Sequence, residues 1–136
     1  MNKKAGSLGC TNTHFVTPNG LDAGRDHYTT ARDLGKIARY ALKFSKFRQV
    51  VATSAYSIRS NLGRYYSVGT TNALLNNMAY VKGIKTGYTR KAGYCFVGLI
   101  TGKNGKEYIT VDLGAGSSAQ RWADARTLLS YAYSRP

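Results

Sequence analysis

Three consecutive residues, Lys85, Thr86 and Gly87, combine groups that could support acyl transfer to or from a peptide. A cation and a hydroxyl are both able to hold a carboxylate, and a residue without a Cβ lets a second backbone approach closely. On an extended strand, the triplet would let a substrate peptide lie alongside, with its carboxylate near the charge and the hydroxyl. These residues therefore predict a substrate-binding strand.

The triplet alone also fits an ordinary β-turn with a solvated lysine. Its surroundings favour the strand, because the segment 81–98 has apolar and β-branched residues on both sides of a Gly-rich, basic connection. Such a pattern is typical of a strand, a tight turn and a second strand.

The first half of the chain is predicted to be mainly helical. A helix is expected to end at Gly9, since glycine commonly follows a helix in the left-handed conformation. Residues 10–26 are predicted to be irregular. A further helix is expected to begin at Thr30, whose side chain would cap it, with Asp33 in its first turn. Gly35 lies inside this helix and suggests close packing there, and a short helix is predicted over 45–52.

The second half predicts mostly strands. Residues 56–58 and 65–68 flank a turn and predict a hairpin. Strands are expected around Lys85 and over 94–101 and 106–113, and together they predict a three-strand meander. A last helix is predicted from Ser117 or Ser118 to Tyr133. Its apolar stripe would cover one face of the sheet. The apolar residues of this stripe are Trp122, Ala125, Leu128, Leu129, Ala132 and Tyr133.

The composition fits one globular domain with a strongly basic surface. The chain has 136 residues, of which 43% are hydrophobic, and a formal net charge of +14. Such a charge attracts nucleic acid, anionic lipid or the anionic polymers of a bacterial wall. The basic residues are scattered from Lys3 to Arg135 without the run expected of a nucleic-acid arm, and none of the common nucleic-acid motifs is present.

The cysteines and histidines do not form a recognisable ligand set. Cys10 and Cys95 have neither CxxC nor metal-ligand spacing, and they could pair only if the fold brought them together. A zinc site is disfavoured, and His14 and His27 are predicted to bind loop backbone. No apolar run long enough to span a membrane and no signal-peptide pattern occurs in the chain.

Four separate motifs resemble the serine-type D-alanyl-D-alanine carboxypeptidases, the low-molecular-weight penicillin-binding proteins (peptidase S11-like). In chain order they are NTHFVTPNGLD at 12–22, HYTTARDL at 27–34, NALL at 72–75 and GIKTGYTRKAGYCFVG at 83–98. The resemblance implies an α+β, β-lactamase/transpeptidase-like fold, of which this chain is the C-terminal part of the catalytic domain. Three strands here would belong to a five-strand antiparallel sheet covered by the C-terminal helix, plus part of a helical subdomain.

The same resemblance divides residues 1–136 into a helical part (1–53), a hairpin and loop (54–80), and the sheet with its C-terminal helix (81–136). It implies hydrolysis of D-Ala-D-Ala termini of peptidoglycan peptides through an acyl-enzyme, binding of β-lactams, no cofactor and no metal. It also implies that the full-length protein is extracytoplasmic, in the cell envelope or secreted.

The resemblance also assigns roles to individual residues. Lys85 would be catalytic, providing positive charge near the nucleophile and the scissile group. Thr86 would donate its hydroxyl to the substrate carboxylate, and Gly87 would allow close approach. The backbone N–H of Tyr88 would be an oxyanion-hole donor. Arg121 would reach toward the terminal carboxylate.

The sequence departs from the family pattern in one important respect. It contains neither the S-x-x-K motif, which supplies the nucleophile and its base, nor the S-x-N element. Tyr88 also replaces a histidine that some members carry. We therefore expect the nucleophile to lie in an N-terminal half absent from this chain, which would be inactive alone and prone to oligomerisation or strand exchange.

Two alternatives come from other functional classes. One is a non-catalytic module of the same fold that binds wall peptides or polymers through Lys85, Arg121 and the basic surface. The other is a basic nucleic-acid binder. An S-x-x-K followed by S-x-N in the sequence immediately upstream would favour the carboxypeptidase.

Overall fold

The computed structural model describes all residues from 1 to 136 and has an α+β architecture. Three helices precede the strands and one follows them. The helices are α1 (Asn2–Ser7), α2 (Ala31–Ala41), α3 (Ser45–Val51) and α4 (Ser118–Tyr133). The strands are β1 (Ala55–Arg59), β2 (Tyr65–Gly69), β3 (Val81–Thr89), β4 (Gly93–Thr101) and β5 (Glu107–Ala115).

The main sheet is an antiparallel meander with the strand order β3-β4-β5, as the sequence predicts. The central strand β4 contains the most buried residues, among them Phe96 and Ile100. β3 and β5 are the edge strands, and each pairs with β4 only. One long side of β3, the strand that carries Lys85, is therefore unpaired in this chain.

Helix α4 covers one face of the sheet and forms the main core, which confirms the predicted covering helix. Ala125 and Leu129 of α4 are fully buried against Phe96 and Ile100 of β4. A Cβ added at Gly98 would lie 3.2 Å from the Leu129 side chain. Glycine at this point of β4 thus lets the helix lie close to the sheet.

Helices α2 and α3 pack against the opposite face, a placement that the sequence did not predict. α2 contacts β5 and β4, and α3 contacts β3. An ion pair ties α3 to the sheet, because Arg48 donates two hydrogen bonds to Glu107 of β5, at 2.6 and 2.8 Å. At the other end of α3, Val51 lies against Gly83.

The N-cap of α2 is the predicted one, but the first turn does more than cap the helix. The backbone N–H of Asp33 donates to the Thr30 hydroxyl at 3.2 Å. The buried Asp33 carboxylate accepts hydrogen bonds from the Asn12 N–H, the Thr13 hydroxyl and the Lys36 ammonium, each at 2.9 Å. This carboxylate therefore joins the preceding loop to the helix.

The loop between α1 and α2 is held by backbone and histidine contacts, as predicted. His14 and Tyr28 form an isolated antiparallel bridge. The His14 Nδ1 lies 2.7 Å from the Asp26 carbonyl oxygen, and the Val16 N–H donates to the His27 Nδ1 at 3.0 Å. Both histidines therefore have structural partners. Gly9 follows α1 with φ of 75°, the left-handed conformation expected there.

Two sequence expectations are settled by local packing. An added Cβ at Gly35 would meet nothing within 4 Å, so the prediction of close packing at this glycine is wrong. Cys10 and Cys95 are both free thiols.

None of the four helices combines the length and the apolar character that crossing a membrane requires.

Candidate active site

Four of the predicted site residues lie on β3, where they alternate between the two faces of the sheet, and the fifth, Arg121, lies in α4. Thr86 is opposite Phe96, which contacts Trp122 of α4, so Thr86 and Tyr88 lie on the α4 face. Lys85 and Gly87 alternate with them and lie on the face covered by α2 and α3. Strand geometry thus places the ammonium and the hydroxyl on different faces of the same exposed edge.

The Lys85 side chain is exposed and has no acidic partner. Its ammonium donates one hydrogen bond, at 2.6 Å, to the carbonyl oxygen of Thr86. No salt bridge involves Lys85, whereas Lys36 and Arg48 both pair with carboxylates. The positive charge of Lys85 is therefore available to an anionic ligand.

Thr86 is 8% exposed, and its hydroxyl is hydrogen-bonded to the hydroxyl of Thr71 in the loop after β2. Either oxygen can donate in this pair. If Thr71 donates, the Thr86 proton is left for a ligand. Sequence reasoning missed Thr71, although it directly precedes the NALL motif at 72–75.

Gly87 is exposed, and its neighbours do not require a glycine. An added Cβ would lie 3.8 Å from the Cβ of Cys95, its partner in β4, which is an ordinary contact. The open space at Gly87 is consistent with the predicted close approach of a ligand. Beside it, the ring of Tyr88 packs on Tyr94, with 4.2 Å between the ring centroids.

Arg121 lies in the first turns of α4 and is 8% exposed. Its guanidinium is 4.3 Å from the Trp122 ring and 5.4 Å from the Tyr94 ring. No hydrogen bond joins it to Lys85 or Thr86; its Nη2 donates to the Ser118 hydroxyl at 3.4 Å, and its Nε has no partner. The structure thus places Arg121 against Tyr94 and Trp122, with no bond to the Lys85 ammonium. Its role toward a substrate carboxylate stays a prediction.

A partly buried carboxylate, Asp112, which sequence reasoning missed, lies near Arg121. Burial raises the pKa of Asp112 on β5, and the negative charge of Asp124 raises it further, whereas the Arg121 charge lowers it. One carboxylate oxygen of Asp112 has no hydrogen-bond partner. Only the tertiary pairing of β5 with β4 and the position of α4 bring these charges together.

The arrangement can bind and polarise an acyl group but does not contain a complete nucleophile. It offers a free ammonium, a hydroxyl and an open strand edge. No serine hydroxyl is hydrogen-bonded to a lysine nitrogen anywhere in residues 1–136, although a serine needs an adjacent base to attack a carbonyl. No group of three or more possible metal ligands occurs either.

Comparison with known proteins identifies a family. A family model described as D-alanyl-D-alanine carboxypeptidase (Peptidase S11) matches residues 1–117. The chain is 34% identical to the D-alanyl-D-alanine carboxypeptidase DacF of Bacillus subtilis over 135 residues, covering 99% of this chain and 34% of that protein. It is 38% identical to a D-alanyl-D-alanine carboxypeptidase of Streptomyces sp. K15, covering 98% of this chain and 47% of that protein.

The fold matches a solved structure equally well. The crystal structure of the Streptomyces K15 DD-transpeptidase superimposes with a TM-score of 0.90 at 37% identity, covering 98% of this chain and 52% of that one. The chain thus spans between a third and about half of the length of these relatives.

Proposed function

This chain belongs to the D-alanyl-D-alanine carboxypeptidase family, and we propose that it forms the C-terminal part of a serine carboxypeptidase that trims peptidoglycan stem peptides through an acyl-enzyme. The observation that carries this proposal is the unpaired edge of β3, which has the exposed Lys85, without an acidic partner, on one face and the Thr86 hydroxyl on the other. This chain covers only 34% and 47% of the two relatives' lengths. This supports the proposal that a second part of the domain completes the site.

In the proposed reaction, a serine in the N-terminal part attacks the carbonyl of the penultimate D-Ala. A serine-oxygen-to-carbon bond forms, the peptide C–N bond breaks, and the leaving D-Ala amine takes a proton. Water then hydrolyses the acyl-enzyme. The Lys85 charge and the Tyr88 N–H would stabilise negative charge that develops on the serine and the carbonyl oxygen. The Thr86 hydroxyl would hold the terminal carboxylate. The positive charge of Arg121, which lies against Tyr94 and Trp122, would add attraction for the same carboxylate.

The proposal also covers ligands and location. β-Lactams would acylate the same serine, because they present a reactive amide and a carboxylate as the peptide does. The full-length protein would lie outside the cytoplasm, in the cell envelope or secreted, where its substrate is. Neither a cofactor nor nucleic acid takes part.

The test is acylation by a labelled penicillin, followed by mass spectrometry. We expect no covalent adduct on the 136-residue chain and one adduct on the full-length gene product, located on a serine upstream of residue 1. An adduct on the short chain would show that the nucleophile lies within it. Absence of an adduct on the full-length protein would reject the carboxypeptidase proposal.

A second candidate is a non-catalytic module that binds wall peptides or polymers. The absence of S-x-x-K and S-x-N, together with the net charge of +14, favours it. It predicts that the 136-residue chain binds an acidic stem peptide reversibly in calorimetry, and that Lys85→Ala weakens this binding. If the chain shows no binding, the module is rejected.

A further inference from the structure

The guanidinium of Arg121 is held mainly by aromatic rings. Only 8% of this residue is exposed, yet its side chain makes one hydrogen bond, a long one from Nη2 to the Ser118 hydroxyl at 3.4 Å. Neither salt bridge of the chain involves Arg121, and its Nε has no partner. The guanidinium instead lies over the rings of Trp122 and Tyr94, at 4.3 and 5.4 Å from the ring centroids. The negative faces of these rings attract the cation.

The two rings contribute differently to the position of the guanidinium. Trp122 directly follows Arg121 in α4, so its contact is local and does not tie the arginine to the sheet. Tyr94 belongs to β4, and its contact fixes the arginine side chain relative to the sheet. The Tyr94 hydroxyl forms no hydrogen bond, so the contact is made by its ring. Tyr88 of β3 packs on this ring, with 4.2 Å between the centroids, and supports it from the side of the unpaired edge.

The contact between Tyr94 and Arg121 lies on the same face of the sheet as the Thr86 hydroxyl. Tyr94 and Phe96 are two residues apart in β4 and therefore point to one face. Thr86 is paired with Phe96, and residues opposite each other in an antiparallel pair share a face. A carboxylate held by Thr86 would thus approach the guanidinium from this face. Because a guanidinium binds a carboxylate through two parallel N–H bonds only in the right orientation, what orients Arg121 matters.

We propose that Tyr94 is a positioning residue of the carboxylate site, and that its ring holds the Arg121 guanidinium ready for the terminal carboxylate of the substrate. This inference rests on the proposed function. Tyr94 itself touches no reacting atom and acts through Arg121. Recognition of a free carboxylate, on a peptide terminus or on a β-lactam, then depends on an aromatic ring at this position of β4. A neutral ester in place of the carboxylate gains nothing from the pair.

The experiment measures acylation of the full-length gene product by benzylpenicillin and by its methyl ester, which has no free carboxylate. The ratio of the two second-order rate constants reports carboxylate recognition, and acylation by the ester shows that a variant is folded. Tyr94→Leu and Tyr94→Met both remove the ring, so the test does not depend on the folding of one variant, whereas Tyr94→Phe keeps the ring. The matched control is Tyr80→Leu, because Tyr80 stacks on Tyr133, at 4.3 Å, at the opposite end of α4 from Arg121.

We expect both ring-removing variants to lower the ratio about tenfold, a size of effect that a desolvated cation–π contact can have. Tyr94→Phe and Tyr80→Leu should keep the wild-type ratio. Arg121→Leu should lower the ratio by itself. Adding Tyr94→Leu to it should lower the ratio no further, because residues that act through one contact are not additive.

Several results would overturn the role of Tyr94. They are a wild-type ratio in both ring-removing variants, an equal loss in Tyr94→Phe and Tyr94→Leu, and additive losses in the double variant with Arg121→Leu. Loss of acylation by both compounds in both ring-removing variants would assign the ring to folding instead. A wild-type ratio in Arg121→Leu would reject this inference but leave the carboxypeptidase proposal standing. If penicillin does not acylate the wild-type protein, the proposed function fails and this inference fails with it.

Discussion

At the scale of single residues, Lys85 has no acidic partner, and it lies on β3, a strand whose outer edge is unpaired. Lys36 and Arg48 each form a salt bridge, with Asp33 and with Glu107 respectively, and these pairs stabilise the fold. Lys85 bonds only the carbonyl oxygen of its neighbour and stays exposed. A cation in this situation contributes little to the fold. Its position on the unpaired edge of β3, beside Thr86 in the chain, is what favours a role in ligand binding.

We expect Lys85→Ala in the full-length protein to slow acylation by penicillin far more than it lowers stability. Losing one electrostatic contact to the transition state typically costs roughly 3 to 4 kcal/mol in rate. Stopped-flow acylation and urea unfolding measure the two effects. Lys82→Ala serves as the control, because Lys82 is an exposed lysine of the same strand that also bonds a carbonyl oxygen. Near-normal acylation and peptide hydrolysis in Lys85→Ala would refute the assigned role.

The buried carboxylate of Asp33, unlike the charge of Lys85, has a structural role. The hydrogen bond from the Lys36 ammonium, together with those from the Asn12 N–H and the Thr13 hydroxyl, holds the pKa of Asp33 below its usual range. Because the folded-state pKa is lower than that of the unfolded chain, the carboxylate stabilises the fold above about pH 4. That stabilisation is lost as the pH falls through the folded-state pKa.

Asp33→Asn should therefore be less stable than the wild type at pH 7, and the difference should shrink toward pH 3. The measurement is the urea midpoint at both pH values. Asp26→Asn is the control, because the Asp26 carboxylate is exposed and forms no hydrogen bond. An Asp33→Asn chain as stable as the wild type at pH 7 would mean that this carboxylate does not hold the loop to α2.

At the scale of elements, the contact between α3 and β3 depends on one glycine. Gly83 has φ of 139°, a value that L side chains rarely adopt, and an added Cβ would lie 3.1 Å from the Val51 carbonyl oxygen. This close contact sets the distance from α3 to the strand that carries Lys85.

Gly83→Ala should destabilise the chain by about 1 to 3 kcal/mol, the usual cost of overpacking. Gly35→Ala is the matched control, because Gly35 lies inside α2 with open space around it. We expect that control to stabilise the chain by about 1 kcal/mol. Both changes are measured by urea unfolding at neutral pH. Equal effects of the two substitutions would show that the contact with Val51 is not tight in solution.

At the scale of the whole molecule, both outer strands of the sheet have an unpaired edge. β3 and β5 pair only with β4, and the relatives are two to three times as long as this chain. Free edges recruit other strands. The expected partner of β5 is the N-terminal part of the domain, whereas the free edge of β3 is expected to receive substrate.

The isolated 136-residue chain should accordingly be oligomeric or strand-exchanged, or poorly soluble in spite of its charge. Light scattering over a dilution series at about 0.3 M salt tests this, because salt at this level screens most repulsion between surface charges. Adding the separately produced N-terminal part should return the complex to a defined mass. A compact monomer at every concentration, with cooperative unfolding, would favour the binding module instead.

Local sequence patterns were sufficient to predict the elements. Gly9 ends α1, Thr30 and Ser117 cap α2 and α4, and the turns separate the strands where they were expected. These features follow from the conformational range of glycine and from side-chain hydrogen bonds to backbone within a few residues. The predicted meander and its covering helix follow from the same local information.

The residues around the strand that carries Lys85 were decided only by the tertiary structure. The bond between Thr71 and Thr86 and the contact of Arg121 with Tyr94 join segments that are far apart in the chain. The packing of α2 on the second face of the sheet arises in the same way. By itself the sequence determined which groups are available and which local structures carry them. Their distances, burial and partners depend on contacts between distant segments, which have no local pattern and form only when the sheet and helices pack together.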